Sequence, residues 1–302
     1  MSDAMLYRFN NRSGLGTDWI VRISDSVHYL RDFSLSAWLR QSTGRVDEAI
    51  NGLRKTAYEA TTVSFNRAFG QQAASGDMTA PLFAPPIEAD QEVWAAGVTY
   101  ERSRDARQEE ADDGGDVYAR VYRAERPELF LKALGRNVVG QSWSVGIRRD
   151  SQWNVPEPEL GVVLNPAMEV VGFTIGNDMS SRDIEGANPL YLPQAKMYTA
   201  SCALGPGIML VATDEIFDAT IHMRIQRGGE TAFEAEVSTQ RIQRRLSELV
   251  DYLSRSNQHP NGVILLTGTG IVPPQDFTLA PGDVISITIE PIGTLTNTVK
   301  VV

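Results

Sequence analysis

The sequence predicts an α+β fold that is rich in strands, with a small N-terminal domain ahead of a larger domain. Short apolar patterns typical of strands recur after residue 130, and Gly, Pro and Asn separate them. They include LGVVL, VVGFTIG, GIMLVA, TIHMRIQ and DVISITIE. Few helical segments interrupt these strands, so the pattern does not indicate the alternating β-α units of a parallel sheet.

The first 85 residues differ from the rest of the chain. The pattern DWIVRIS predicts a strand, and two helix-compatible stretches follow it, around residues 35–39 and 46–57. The segment TAPLFAPPIEAD contains three prolines, which is typical of an exposed connection. We therefore expect a small N-terminal domain over residues 1–85 and a second, larger domain over residues 86–302.

Two segments of the larger domain predict helices. In STQRIQRRLSELVDYLSRS, apolar residues recur at helical spacing, and Ser238 or Thr239 can cap the start. The charged stretch ERSRDARQEEADDGGDVYARVYRAERPE predicts a solvated helix, a loop at DDGGD and a second short helix. A loop of this kind beside an active site could also serve as a lid.

Composition excludes several classes of protein. The chain has 302 residues, a single cysteine and a net charge of −10. One cysteine cannot form an internal disulfide, so we expect a cytoplasmic protein in which Cys202 is a small buried residue. The negative charge disfavours nucleic acid as a partner. No signal peptide is recognisable, and apolar runs such as GVILL are too short to cross a membrane.

Three carboxylates predict a metal site. Glu157 and Glu159 lie two residues apart in VPEPELGVVL, and side chains at this spacing point to one face of an extended chain. Asp178 ends the strand pattern VVGFTIGND. Carboxylates so close repel each other unless a cation, a shared proton or solvent relieves them. Oxygen ligands without a nearby Cys or His favour Mg²⁺, Mn²⁺ or Ca²⁺ over Zn²⁺. The alternative is a pair of surface glutamates and a turn aspartate.

A series of motifs resembles one family. PEPELGVVL, VVGFTIGNDMSSRDIEG, LPQAK, SCALGPGI, GVILLTGTG and PGDVISITIEPIGTLTN stand in the order seen in the fumarylacetoacetate hydrolase family, over roughly residues 93–302. The resemblance implies a mixed β-roll catalytic domain, a homodimer and a small-molecule 2-keto acid substrate. It also implies Mg²⁺ (or Mn²⁺) bound by Glu157, Glu159 and Asp178.

The motifs also point to one branch of this family. In VTYERSRDAR, Ser103 stands where the hydrolases have the histidine that activates water, so the usual general base is absent. RPELFLKA, WNVPEPEL and SSRDIEGANPLYLPQAK are similar to the 2-keto-3-deoxy sugar acid dehydratases of arabinonate type. This resemblance implies a lyase that dehydrates a 2-keto-3-deoxy pentonate through a metal-stabilised enolate.

The resemblance assigns further roles. Glu128 and Lys196 are the expected catalytic residues: Glu128 for the proton transfers, and Lys196 to bring its charge to the substrate rather than to the cation. The expected substrate-binding residues are Tyr100, Arg182, Asp183 and Thr269. The structural alternatives are an exposed glutamate at a helix start, a solvated lysine, an internal salt bridge of Arg182 with Asp183, and a plain turn at Thr269.

Two other functions stay open from the sequence. The first is an acylpyruvate- or fumarylpyruvate-type C–C hydrolase, or a 2-oxo acid decarboxylase, of the same family. The second is a catalytically silent binding protein that kept the fold. The intact set of Glu157, Glu159, Asp178 and Lys196 argues against the silent protein.

Overall fold

The computed structural model describes residues 4–10, 16–24, 26–59, 63–64, 83–102 and 116–302. In chain order the strands of these residues are β1 (Ala4–Asn10), β2 (Thr17–Ile23), β3 (Ser26–Leu30), β4 (Val63–Ser64), β5 (Phe83–Ala84), β6 (Glu92–Gly97), β7 (Glu128–Leu134), β8 (Ser144–Ile147), β9 (Asn154–Val155), β10 (Pro158–Leu164), β11 (Val170–Asp178), β12 (Ser180–Ser181), β13 (Cys202–Thr213), β14 (Thr220–Arg227), β15 (Glu230–Ser238), β16 (Val263–Leu266), β17 (Val284–Ile289) and β18 (Gly293–Val301).

The helices of the described residues are α1 (Leu35–Ser42), α2 (Val46–Glu59), α3 (Asp116–Arg123), α4 (Arg182–Ala187), α5 (Leu192–Lys196) and α6 (Leu246–Ser254). Short 3₁₀ turns span Gly135–Asn137, Pro189–Tyr191 and Thr239–Arg241. Strands therefore dominate, and the predicted strand-rich α+β class is confirmed. The helices predicted around residues 35–39 and 46–57 are present as α1 and α2.

Most strands belong to two sheets. Among the described residues, eleven strands form one sheet in the order β4-β3-β2-β1-β13-β11-β10-β16-β6-β7, with β5 also paired to β1. Five strands form a second sheet in the order β15-β14-β17-β18-β8. Neighbours are antiparallel except β16 with β6 and β18 with β8. This mixed arrangement agrees with the architecture that the family resemblance implies.

The large sheet is covered on both faces. Leu160 and Phe173 belong to one apolar cluster with Ile221 and Ile287 of the five-stranded sheet. Val163, which lies on the same strand as Leu160, belongs to a second cluster that contains Leu39 of α1 and Ile50 of α2. Every residue of β10 and β11 is buried, so both strands are covered on both faces, and their polar residues, including Glu159 and Asp178, are buried as well.

The N-terminal strands continue the large sheet. Met5 and Leu6 of β1 pair with Met209 and Ile208 of β13. The described part of residues 1–85 therefore shares a sheet and a core with the rest of the chain. The boundary between residues 85 and 86 stays a prediction.

The long helix predicted for residues 238–256 is wrong over its first half. Ser238 does act as a cap, but for the short 3₁₀ turn Thr239–Arg241. The backbone is extended at Ile242 and again at Arg245, immediately before α6. The N–H of Gln243 donates to the carbonyl of Thr99, so tertiary pairing satisfies a group that a helix would have used.

Candidate active site

The three predicted metal ligands meet at one end of two central strands. Glu157 directly precedes β10, Glu159 is its second residue, and Asp178 is the last residue of the adjacent strand β11. The N–H of Asp178 donates to the carbonyl of Glu157 at 2.9 Å, which ties the two strand ends together. One carboxylate oxygen from each residue lies within 4.8 Å of the others, and all three residues are buried. The alternative of surface acids is therefore wrong.

Two buried cations contact this cluster. Arg182 Nη2 lies 2.8 Å from Glu157 Oε1, and Lys196 Nζ lies 2.6 Å from Glu157 Oε2. Lys196 Nζ also lies 3.2 Å from Asp178 Oδ2. Lys196 therefore contacts two of the metal-ligand candidates, and the expectation that it brings its charge to the substrate rather than to the cation stays a prediction. The alternative of a solvated lysine is wrong, since Lys196 is 1% exposed.

Glu159 has a different environment. Its Oε2 accepts a hydrogen bond of 2.6 Å from the N–H of Gly268. Burial, followed by the charges of Asp178 and Glu157, raises the pKa of Glu159 well above its usual range. Gly268 has a φ of +91°, and a Cβ there would overlap the Thr99 hydroxyl, so glycine is required for this close approach.

The donor set fits a divalent cation. Three convergent carboxylates, with no nitrogen or sulfur ligand among them, are what Mg²⁺ and Mn²⁺ prefer. Burial is the main cause of the raised pKa of Glu159, and the charges of Asp178 and Glu157 add to it; a cation bound between the three carboxylates would offset both effects. Three protein ligands leave about three octahedral positions for substrate and water.

Lys132 lies beneath the cluster and has no role in the sequence-based prediction. It is fully buried in β7, and its Nζ lies 2.7 Å from Asp178 Oδ1. The same ammonium donates to the carbonyl of Met179 at 2.9 Å and to the carbonyl of Lys196. Lys132 thus connects a metal-ligand candidate to the backbone that carries Lys196. Its position in the apolar pattern ELFLKAL was the available signal, since a lysine inside a buried strand needs a partner.

A small cavity opens beside the carboxylates. The predicted residues Glu128, Lys196 and Thr269 all border it, together with Glu185, which sequence reasoning missed. The described residues lining the cavity are Ala96, Gly97, Val98, Glu128, Phe130, Glu157, Glu159, Asp178, Glu185, Lys196, Gly268 and Thr269. The cavity therefore brings most of the predicted catalytic side chains to one space.

Glu128 is not an exposed residue at a helix start. It is half-buried and is the first residue of β7, where it pairs with Gly97 of β6. A Cβ on Gly97 would overlap the Glu128 carboxylate, so the side chain lies directly across this glycine. The neighbouring strand thus leaves room for the carboxylate and directs it to the cavity.

The other predicted substrate-binding residues, Tyr100, Arg182 and Asp183, are not among the described residues that line the cavity. Tyr100 is buried, and burial followed by the charge of Glu159 raises its pKa. Arg182 pairs with Glu157, as described above. Asp183 accepts hydrogen bonds from the Ser151 hydroxyl at 2.6 Å and the Gln152 N–H at 2.7 Å. Arg182 and Asp183 therefore do not form a salt bridge with each other: Arg182 pairs with Glu157, and Asp183 accepts from Ser151 and Gln152.

Thr269 follows β16 and is nearly buried. Its hydroxyl accepts from the N–H of Ile271 at 3.2 Å and lies 3.2 Å from the carbonyl of the same residue. The residue therefore forms a strand-end turn and borders the cavity at the same time. Ser103, which stands in place of the hydrolase histidine, lies outside the described residues.

Comparison with known proteins identifies the family. The model of the fumarylacetoacetate (FAA) hydrolase C-terminal domain matches residues 92–300. The chain belongs to the fumarylacetoacetate hydrolase family. Two relatives in this family share long stretches of sequence. A protein of Haloferax volcanii named "Probable 2-keto-3-deoxyxylonate dehydratase" is 47% identical over 218 residues, which cover 72% of this chain and 74% of the relative. The "2-dehydro-3-deoxy-D-arabinonate dehydratase" of Saccharolobus solfataricus is 44% identical over 215 residues, covering 69% and 72%.

Solved structures of the family share the fold over the whole chain. A 2-keto-3-deoxy-D-arabinonate dehydratase complexed with magnesium and 2,5-dioxopentanoate has a TM-score of 0.81 and 34% identity, with 99% of each chain covered. A fumarylacetoacetate hydrolase from Exiguobacterium antarcticum has a TM-score of 0.66 and 20% identity. At this identity the similarity establishes a shared fold and nothing about the reaction. Among the described residues, none of the helices is long and apolar enough to span a membrane.

Proposed function

We propose that this protein is a divalent-metal-dependent hydro-lyase that dehydrates a 2-keto-3-deoxy pentonate. The observation that carries the proposal is one cavity bordered by the carboxylates of Glu157, Glu159 and Asp178 together with Glu128 and Lys196. The dehydratase names of the two relatives, at 47% and 44% identity, support the reaction type. The magnesium in a similar solved structure supports the cofactor.

Glu157, Glu159 and Asp178 would hold Mg²⁺ or Mn²⁺ in this proposal. When bound, such a cation supplies Lewis-acid polarisation of the 2-keto group, which makes the C3 hydrogens of the substrate acidic. Arg182 and Lys132 contribute by fixing the orientation of Glu157 and Asp178, which they contact from behind. Thr269, on the cavity wall, is the proposed contact for the substrate carboxylate.

Glu128 is the proposed acid–base residue. It borders the cavity, yet it is outside the cluster of metal-ligand candidates, as a group that moves protons must be. It would take a proton from C3 and return it to the C4 hydroxyl, which leaves as water. The ammonium of Lys196 would stabilise the negative charge that develops on the substrate, because it is buried beside the same carboxylates.

A product screen tests the reaction directly. Purified protein with Mg²⁺ is expected to consume 2-keto-3-deoxy pentonates and to leave acylpyruvates and other diketo acids unchanged, with products identified by NMR. Cleavage of a diketo acid would favour the hydrolase alternative, and release of CO₂ would favour the decarboxylase. Absence of turnover with every substrate would refute the enzymatic proposal.

Two variants test the site. Glu157→Ala is expected to abolish Mn²⁺ binding in calorimetry, because it removes one of three buried ligands. Glu128→Gln keeps size and hydrogen bonding, so it should bind Mn²⁺ normally while turnover falls by roughly 10²-fold or more. The exposed residue Glu230 provides a matched control, and Glu230→Gln should change neither property. Undiminished Mn²⁺ affinity in Glu157→Ala would exclude the metal site.

We also propose that the enzyme is a cytoplasmic homodimer. Leu190, Tyr191 and Met197 are 83%, 45% and 41% exposed, and a second copy could cover these apolar side chains. Cys202 is fully buried as a reduced thiol, which is compatible with a reducing compartment. Light scattering coupled to gel filtration should report a dimer. A fully active monomer at micromolar concentration would contradict this assembly.

A further inference from the structure

Glu185 is a buried carboxylate in the cavity that the mechanism above does not use. It belongs to α4 and is 4% exposed. The hydroxyl of Ser180 donates a hydrogen bond of 2.8 Å to Glu185 Oε2. Ser180 follows Asp178 by two residues, so this contact fixes Glu185 relative to the metal-ligand candidates.

Glu128 and Glu185 together stand between the cavity and a neighbouring pocket. Both residues border the catalytic cavity and also the outer pocket. The other residues that line the outer pocket are Val121, Arg126, Pro127, Pro189 and Leu192. Lys196 and the three metal-ligand candidates border only the inner cavity. A substrate whose keto-acid end lies at the carboxylate cluster would therefore extend its distal carbons towards Glu128 and Glu185.

The chemistry of the proposed function requires a proton transfer at a distal carbon. Loss of water across C3 and C4 of a 2-keto-3-deoxy pentonate gives 5-hydroxy-2-oxopent-3-enoate, a conjugated enone. The ligand of the similar dehydratase structure is instead 2,5-dioxopentanoate, in which C5 is an aldehyde. Conversion of the enone to this aldehyde removes one hydrogen from C5 and one from the C5 hydroxyl, and adds one hydrogen each to C3 and C4, so it is an isomerisation with no change in overall oxidation state.

We propose that Glu185 is the base that removes the C5 proton, while Glu128 serves C3 and the C4 hydroxyl. The inference rests on the proposed dehydratase function. In the enone, conjugation with the 2-keto group makes the C5 hydrogens acidic. When Glu185 takes one, the C5–H electron pair forms the C4–C5 double bond, the C3–C4 double bond moves to C2–C3, and the C2 carbonyl oxygen takes up the former C=O π pair as an enolate. Protonation at C3 by water restores the C2 carbonyl and leaves an enol at C4–C5. The enol takes a proton at C4 and releases its hydroxyl proton, and Glu185 returns its proton to the hydroxide left by the water.

The arrangement of the cavity favours Glu185 over Lys196 for this step. Lys196 is held at the inner end by contacts of 2.6 and 3.2 Å to Glu157 and Asp178. Glu185 borders the outer pocket, where the distal carbons would lie, and the Ser180 hydroxyl orients its carboxylate. A carboxylate in hydrogen-bond reach of an acidic C–H is a suitable general base.

The test is the fate of substrate in Glu185→Gln. The glutamine can still accept the Ser180 hydrogen bond, so the fold should be retained. Consumption of 2-keto-3-deoxy pentonate should continue, while the conjugated enone accumulates and is detected by its ultraviolet absorbance. Aldehyde formation, followed by NMR, should fall by roughly 10²-fold. In the wild type, deuterium at C5 should slow aldehyde formation and leave substrate consumption unchanged. Glu230→Gln is again the control.

Ser180→Ala provides a second variant in which the Glu185 carboxylate is kept but loses its orienting hydroxyl. We expect partial accumulation of the enone. Aldehyde formation at the wild-type rate by Glu185→Gln, with no enone, would overturn the assignment and leave the dehydratase function intact. Loss of substrate consumption in Glu185→Gln, with Mn²⁺ binding retained, would overturn it too, since Glu185 would then act in the elimination. Failure of the wild type to consume substrate refutes the underlying function instead.

Discussion

Replacement of Lys132 by methionine should strongly destabilise the fold, although Lys132 does not border the cavity. Methionine fills a similar volume but carries neither charge nor donor. The replacement removes the ion pair with Asp178 Oδ1 at 2.7 Å and the hydrogen bonds to the carbonyls of Met179 and Lys196. All these groups are inaccessible to solvent, so water does not substitute for the lost partner.

The expected loss follows from the burial of the pair. Removal of one partner of a buried ion pair costs about 3–5 kcal/mol, because the other charge stays buried and uncompensated. Each carbonyl left without its donor costs about 1–3 kcal/mol, part of which relaxation recovers. We therefore expect Lys132→Met to lower the free energy of unfolding by about 4 kcal/mol or more, a large share of the total of about 5–15 kcal/mol that proteins possess.

Urea unfolding followed by tryptophan fluorescence measures this loss. Lys300→Met is the matched control, because Lys300 is exposed on β18 and its replacement should change the free energy of unfolding by less than about 0.5 kcal/mol. Mn²⁺ should recover part of the stability of Lys132→Met if Asp178 still reaches the metal site. A loss below about 1 kcal/mol would refute the reasoning, since it would mean that Asp178 is solvated or protonated without cost.

Three further predictions address the site and its surroundings. Lys196→Met should lower turnover but tighten Mn²⁺ binding by about tenfold or more, because the ammonium that contacts Glu157 would repel a divalent cation. Calorimetry measures the affinity, and weaker binding would contradict this expectation. Gly97→Ala should lower turnover strongly with unchanged Mn²⁺ affinity, because its Cβ displaces Glu128; normal kinetics would count against that position for the carboxylate. Burial raises the pKa of the Cys202 thiol to about 12, so the unfolded chain ionises first and stability falls above pH 9. Between pH 9 and 10 the wild type should lose about 1 kcal/mol more than Cys202→Ala in urea unfolding, and equal losses would exclude the effect.

The metal-ligand candidates could be predicted because their information is local. Glu157 and Glu159 lie two apart before a strand, and the alternation of side chains in an extended chain places both on one face. Asp178 ends the strand that pairs with β10, and the same motif order that identifies the family includes it. For Glu157 and Glu159, the spacing along the chain is therefore enough to predict that the side chains lie close together.

The cations around them could not be predicted in the same way. Lys132 lies 46 positions before Asp178, and the pairing of β7 with β6 makes its strand part of the large sheet. Arg182 was expected to contact substrate, but it reaches back to Glu157 across the strand ends. Glu185 gave no signal because a glutamate in a polar, helix-forming segment is usually solvated. In each case a contact between distant segments decides the role.

The helix predicted for residues 238–256 failed for a related reason. Its apolar spacing is helical, but Thr239 accepts a backbone hydrogen bond from Ala219 and donates to the carbonyl of Phe217. These contacts hold the chain beside β14 and end the first turn after three residues. Helical propensity is worth only tenths of a kcal/mol per residue, so a few buried hydrogen bonds can outweigh it.

The buried charges of the site balance in a way that bears on what the site recognises. Six side chains in mutual contact or proximity carry no net charge when all are ionised: Glu157, Glu159, Asp178, Lys132, Arg182 and Lys196. With a divalent cation bound, these six side chains would leave two uncompensated positive charges. A resting keto acid supplies one negative charge through its carboxylate, and only its enolate supplies a second. The six side chains and the cation would therefore be balanced in charge by the enolate, so their electrostatic complementarity is to the reacting species rather than to the bound substrate.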